Sequence, residues 1–422
     1  MMKKITVIVL ISIIAFIGCS VEENPVEPPI PSGTMFRGFV NSTSLDENIT
    51  DEPSGRPVFV YEPLGYEVTS LDSFEIYIDT TYDGVTHYDT TYLYYIVTST
   101  EYPTLYLLHG YGGSYTYYSD LFLLKDILDE MISTGEIEPM IVVTPDCNNS
   151  FGGSFYTNSP EINSITDDGD TIFASYAANF EDFVTTDLLD YMSDRFSVDT
   201  VAAMRGISGH SMGGYGAMKL AMKYPELFGS VSSMSAPLAF PYLQGLLPAV
   251  FAENGFTPGD AAGFYAISPS AEKRVTSMMF AMGAAFSPHD ELDDDTTYFH
   301  RTRNVDEFEG IDLPFGIDGQ LAETSPVWLN WLANDPLSML VAGGYASSLG
   351  NSAVYIDCGQ YDDLGLHLHA EEFHNALTTI GIPHTYEIYA GYSEGDADHT
   401  KYIGDRLREI LKFHNDAFNQ AQ

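Results

Sequence analysis

Apolar and polar positions change period along the chain. Short β-rich runs occur at 56–61 and 104–108, and the run at 140–144 is continuously apolar, as a strand buried on both faces should be. Between the second and third runs, Leu121, Leu124, Ile127, Leu128, Met131 and Ile132 recur at helical spacing. Phe180, Phe183, Val184, Leu188 and Tyr191 do the same further on. Runs at 231–235, 353–356 and 386–389 continue the strand series, and Ile403, Leu407, Ile410 and Leu411 stripe a final helix. Strand–helix alternation of this kind predicts an α/β class with a mostly parallel central sheet and helices on both faces.

Two stretches break the alternation. Residues 72–98 are rich in Tyr and Thr, alternate in polarity and carry an Asp83-Gly84 turn, which reads as an inserted β-hairpin. Residues 239–350 are long, punctuated by Pro and Gly, and partly helical. An insertion of that size between core strands is expected to form a cap that shapes a pocket at the sheet's edge.

The first residues stand apart from the fold. Lys3 and Lys4 precede a mostly apolar stretch at 5–17, too short to cross a bilayer and suited to the core of a signal peptide, here 1–18. Phe16-Ile17-Gly18-Cys19 resembles a bacterial lipobox, which makes Cys19 the expected lipidated first residue of an exported protein. Residues 19–33 have no apolar periodicity, and 20–31 hold four prolines and three acids, the composition of a solvated, extended tether. The folded domain is then 34–422.

Composition narrows the partners. With 17 Lys and Arg against 60 Asp and Glu, the formal net charge is −43. Such a surface repels phosphate backbones and anionic headgroups, so nucleic acid is excluded as a partner, and the membrane is reached through the lipid on Cys19. The charge suits a salty or extracellular medium.

Candidate chemistry is concentrated in Gly209-His210-Ser211-Met212-Gly213-Gly214, a sharp turn from a strand at 201–207 into a helix beginning near Gly214. Glycines around Ser211 let the turn close and leave its hydroxyl exposed at the strand end. A serine hydroxyl is a weak nucleophile near neutral pH, so this geometry is useful only with a base and an orienting carboxylate. Upstream, His109-Gly110-Tyr111-Gly112-Gly113 follows another core strand. Backbone amides there and just after the serine, those of Tyr111 and Met212, are the expected oxyanion donors. His109 precedes the turn and reads as a structural residue. The base should follow the last strand, where His399 stands, and the acid should end the preceding one, where Asp357, Asp362 and Asp363 are candidates. His367, His369 and His374 read as packing or surface residues, the first two within possible reach of a substrate. The runs Asp167-Asp168-Gly169-Asp170 and Asp293-Asp294-Asp295 lack EF-hand spacing and read as solvated loops. No metal or organic cofactor is expected.

These pieces together resemble the esterase D / feruloyl-esterase-like branch of the α/β-hydrolases, which includes carbohydrate esterases. The matching segments are 60–66, 106–113, 209–214 and 224–228, Asp357-Cys358-Gly359 with Asp362, and 399–413. They span most of 55–415 apart from the two insertions. The resemblance implies an α/β-hydrolase fold, and a family pattern with its acid three residues after the glycine selects Asp362. It further implies a Ser211–His399–Asp362 triad and hydrolysis of carboxylic esters, with acetyl or hydroxycinnamoyl (feruloyl) groups on polysaccharides as the expected substrates. A general carboxylesterase on small esters and a catalytically idle glycan-binding lipoprotein are the competing readings. In the strand order implied, three strands separate those carrying Cys147 and Cys358, too far for a disulfide. Both are expected as free thiols, with Cys358 buried beside the acid turn.

The anchor is directly testable. Wild-type protein in its own host should partition with membranes and carry acyl chains, and Cys19→Ser should be soluble and unlipidated. A soluble, lipid-free wild type would remove the anchor.

Overall fold

The computed structural model describes residues 32–66, 74–82, 85–93, 101–165, 171–289, 298–301, 310–342, 344–391 and 395–421. The signal peptide, Cys19, nearly all of the tether, the Asp83-Gly84 turn and both acidic runs lie outside them.

Among the described residues, eight strands form one sheet. They are β1 (Thr34–Asn41), β2 (Gly55–Glu62), β3 (Thr104–Leu108), β4 (Ile141–Pro145), β5 (Arg205–His210), β6 (Ser230–Met234), β7 (Ala353–Gly359) and β8 (Thr385–Tyr389). Their order is β1-β2-β4-β3-β5-β6-β7-β8. Only β2 runs against its neighbours; β4 to β8 pair in parallel through β3. The edge strand β1 was not legible in the apolar pattern because it buries few residues, notably Val40, and leaves Phe39 exposed.

The apolar strand runs are explained by two cores, one on each face. Tyr106 and Leu108 of β3 face the larger core, with Ile141 and Val143 of β4. Leu105, Leu107 and Val142 point the other way, into a smaller core built by α1 (Leu124–Ser133) and the C-terminal helix α6 (Ile403–Ala421). Ile403, Leu407, Ile410 and Leu411 are all buried there, as their spacing predicts. The first helical stripe is shorter than predicted. Leu123 takes a left-handed conformation (φ 54°) that ends a preceding short helix, Tyr117–Phe122, and this turns Leu121 and Leu123 to solvent. The second stripe is continuous from Phe180 into α2 (Leu188–Arg195) but includes a π-helical turn at Phe183–Asp187.

Phe74–Tyr82 and Val85–Leu93 pair as an antiparallel ladder within the stretch read as a hairpin. A second, unforeseen hairpin pairs Glu161–Ile165 with Thr171–Ser175. The 239–350 insertion forms several short helices, including α4 (Arg274–Phe286), and a small antiparallel pair, Phe299–Arg301 with Ile311–Leu313. It is docked by aromatic packing. Phe240 stacks on Tyr215 of α3 (Met212–Lys223) with ring centroids 5.7 Å apart, and Phe286 and Trp331 close around them. The Trp331 indole N–H donates to Ser287 Oγ (2.8 Å), so a fully buried indole is satisfied.

Cys147 and Cys358 are both free and buried. Strands β3, β5 and β6 separate β4 from β7, the physical bar to a disulfide.

One buried charge cluster ties α3 to the helical turn Phe180–Asp182 just before the π turn. Lys219, with no exposed surface, donates to Thr157 Oγ1 (2.7 Å) and pairs with Glu181 at 3.2 Å. Glu181 also receives Lys223 and the Tyr224 hydroxyl (2.7 Å). Burial lowers the Lys219 pKa to about 8, with Glu181 opposing. Burial would raise the Glu181 carboxyl, but the two lysines outweigh it and hold it low. Removing the anion strands a buried cation, so Glu181→Gln should cost about 3 to 5 kcal/mol in denaturant unfolding. Lys219→Met should cost less, since Glu181 keeps Lys223 and Tyr224. The Glu181 contribution is complete above its unfolded pKa, about 4.3, and is lost as pH falls through the lower native value. Wild type and Glu181→Gln should therefore converge in stability in acid.

Candidate active site

Backbone contact builds the turn around Ser211. Strand β5 runs on to His210, three residues past the predicted end, and α3 begins at Met212 rather than near Gly214. Ser211 alone makes the corner, at φ 57° and ψ −121°. That left-handed conformation is strained for a residue with a Cβ, and its N–H is held by Met234 O at 2.8 Å. A Cβ at Gly213 would lie 2.0 Å from Leu108 O, and one at Gly209 would lie 2.3 Å from the Gly213 carbonyl carbon. Neither position tolerates a side chain.

The sheet then collects the other residues at the same edge. Asp362 follows β7 and His399 follows β8, so both arrive at strand C-terminal ends beside Ser211. His399 Nε2 lies 3.0 Å from Ser211 Oγ, and His399 Nδ1 lies 2.8 Å from Asp362 Oδ2. A carboxylate at Nδ1 fixes the proton there, leaving Nε2 as the acceptor facing the serine hydroxyl. All three are nearly buried, with Ser211 8% exposed. Asp362 Oδ1 accepts the N–H groups of Leu364 (2.9 Å) and Leu366 (3.3 Å). Burial alone would raise the Asp362 pKa; the His399 hydrogen bond and charge, with these amides, hold it below the ordinary carboxylate range.

Cys358 takes part in this arrangement beyond filling space. Its Sγ is 3.7 Å from Asp362 Oδ2, and burial pushes the thiol pKa well up, so the S–H remains available as a weak donor. The competing acids are committed elsewhere. Asp357 Oδ2 accepts Arg406 Nε at 2.8 Å, clamping α6 to β7. Asp363 is more than half exposed and sits 3.6 Å from Arg274.

Several other histidines have structural partners. His109 is buried, with Nδ1 donating to Gly110 O (2.9 Å) and Nε2 accepting from Cys147 N–H (3.0 Å). Burial lowers its pKa. His369 Nδ1 accepts from Ala239 N–H (3.2 Å), tying α5 (Leu366–Ile380) to the start of the cap. His374 stacks on Tyr386 and bonds His384 (2.7 Å). His210 has a role that the sequence reading missed. Its Nε2 donates to His399 O (2.8 Å), its Nδ1 accepts from Tyr117 OH (3.0 Å), and burial, then the neighbouring His399, lowers its pKa to about 3. His210, kept neutral by its burial, thus holds the His399 backbone. Its position inside the Gly209–Gly213 turn was the available signal, but the partner comes from 189 residues away.

Among the described residues, the N–H groups of Tyr111 and Met212 donate to nothing within the chain, whereas Gly112 N–H is taken by Gly152 O (2.7 Å) and Gly113 N–H by Gly110 O (3.0 Å). Both unpaired amides flank the space above Ser211, which Tyr111, Ser211 and Met212 all line. A nucleophile with a base, and two donors for a developing oxyanion, make acyl transfer the chemistry available here.

The sheet order and this strand–serine–helix turn are those of an α/β-hydrolase. Residues 90–400 match the family described as "Putative esterase", and the chain belongs to that family. It is 32% identical over 144 residues to Esterase MT1326 of Mycobacterium tuberculosis, covering 34% of this chain and 27% of that protein. It is 30% identical over 129 residues to the endo-1,4-beta-xylanase/feruloyl esterase of Xylanibacter ruminicola, covering 31% and 16%. The chain thus spans about a quarter or less of the length of these curated relatives. A solved ferulic acid esterase shares the fold with TM-score 0.52 at 19% identity, over 92% of this chain and 99% of that one.

A fluorophosphonate probe should label wild-type protein at Ser211. Asp362→Asn should slow labelling by about 10³-fold or more by loss of the imidazole's orientation, and Asp363→Asn should label like wild type. Sensitivity at Asp363 instead would move the acid by one residue.

Proposed function

We propose that the protein is an exported serine esterase that hydrolyses carboxylic esters through an acyl-enzyme intermediate, with acetyl or hydroxycinnamoyl groups on polysaccharides as substrates. The observation that carries this reading is the continuous relay from Asp362 through His399 to Ser211 at a strained turn, next to two unpaired amides. Ser211 Oγ attacks the ester carbonyl carbon while its proton passes to His399 Nε2. Asp362 holds the Nδ1 proton in place and offsets the imidazolium charge. The Tyr111 and Met212 amides receive the oxyanion. His399 then protonates the leaving alcohol as the ester C–O bond breaks. Water attacks the acyl-serine, giving its proton to His399, and the acid leaves as Ser211 recovers its hydrogen.

Polysaccharide esters are supported by the partial match to a xylanase/feruloyl esterase, and ester hydrolysis by family membership. Export and anchoring are supported by the lysine-led apolar stretch, the Cys19 lipobox and the proline-rich tether. The intact relay weighs against an idle binding protein, whose histidine and acid would have no reason to meet the serine.

Purified 20–422 protein should hydrolyse p-nitrophenyl acetate and release acid from acylated xylan oligosaccharides. Ser211→Ala should lose about 10⁴-fold or more in kcat with the fold intact by circular dichroism, and His399→Ala nearly as much. Turnover that survives Ser211→Ala, or none on any ester, would refute the reading.

A further inference from the structure

Two spaces share Tyr111 as a wall, one of them at Ser211, and they differ in size and chemistry. The first touches Ser211 itself and is walled by Phe155, Leu243, Leu246, Met278, Met282 and Leu366. Only about 10 Å³ there is open to the centre of a water-sized group, roughly the room one water needs. The second, on the far side of the Tyr111 ring, has about 330 Å³ open in the same sense and is lined by Ser150, Ser270, Ser277 and Arg274. Tyr111 is a fixed partition: its hydroxyl donates to Phe151 O (3.0 Å), and a Cβ at Gly152 would lie 2.9 Å from that hydroxyl.

Resting on the esterase reading above, we infer that the cap limits the acyl group to about the size of acetyl, and that the leaving alcohol is a polar, sugar-sized group seated in the Arg274 cleft. In the acyl-enzyme the acyl carbon is bonded to Ser211 Oγ, so its substituent must occupy the space that opens at Ser211. A methyl group is about the size of a water and fills that space. A hydroxycinnamoyl group needs a slot several times larger. Its ring hydroxyl would also meet only apolar side chains, because the Tyr111 hydroxyl is already committed. Four of the walls, Leu243, Leu246, Met278 and Met282, come from the insertion, which the aromatic packing of Phe240, Phe286 and Trp331 holds against α3. The alcohol has no bond to the enzyme and needs an exit, which the wider cleft gives. Hydroxyl and guanidinium groups there are suited to donate to sugar oxygens.

The test is a substrate series on the full exported chain: p-nitrophenyl acetate, butyrate and hexanoate, with methyl ferulate. Expected is a fall in kcat/KM of at least about tenfold from acetate to butyrate, with methyl ferulate slower still. Met282→Ala should raise the butyrate-to-acetate ratio by about tenfold. Butyrate or ferulate turned over as well as acetate by wild type would overturn the size limit while leaving the esterase reading standing. No Ser211-dependent turnover of any ester would overturn both.

Discussion

Backbone packing at Gly209 and Gly213 is the constraint on which the rest of the site depends. The carbonyl of Leu108 sits where a Gly213 Cβ would be, so β3, β5 and α3 meet backbone to backbone. That approach forces the chain to reverse in a single residue, and Ser211 carries the strain, of order 1 to 3 kcal/mol. The same approach puts the Met212 amide at the first position of a helix, where no earlier carbonyl in that helix can accept it. It also brings the Tyr111 loop, which leaves β3, against the serine. Ser211 and the two unpaired amides thus come from one packing event.

Burial sorts the histidines by partner. His109, His210, His369 and His414 are held uncharged in the interior, where amides, carbonyls and hydroxyls use their ring nitrogens as neutral donors and acceptors. His399 alone among these buried rings meets the triad carboxylate. A neutral His210 beside it matters to the proposed acyl transfer, because a second cation at a ring separation of 4.8 Å would oppose the charge His399 would take up there. The Tyr117 hydroxyl donating to His210 Nδ1 sets the tautomer that leaves Nε2–H for the His399 carbonyl.

The fold is shared with a solved ferulic acid esterase, and four of the eleven residues that line the space above Ser211 come from the 239–350 insertion. The sheet edge carries the relay, and the docked cap supplies part of the apolar wall beside it.

The sequence by itself determined the α/β class, the strand series from 56 onward, the turn at Ser211 and the candidates for base and acid. These are local properties: period, glycine spacing and position after an apolar run. Tertiary structure decided whatever depends on partners far apart in the chain. Position after a strand left Asp357, Asp362 and Asp363 open and only the family resemblance selected Asp362; the fold supplies the physical reason, since Arg406 of α6 binds Asp357. His210 looked like a spacer within the turn until the carbonyl of His399 came within 2.8 Å. Edge strand β1 buries too little to leave a pattern, and the break at Leu123 follows from packing rather than apolar period. A residue's own spacing shows which face it lies on; only the folded chain shows what faces it.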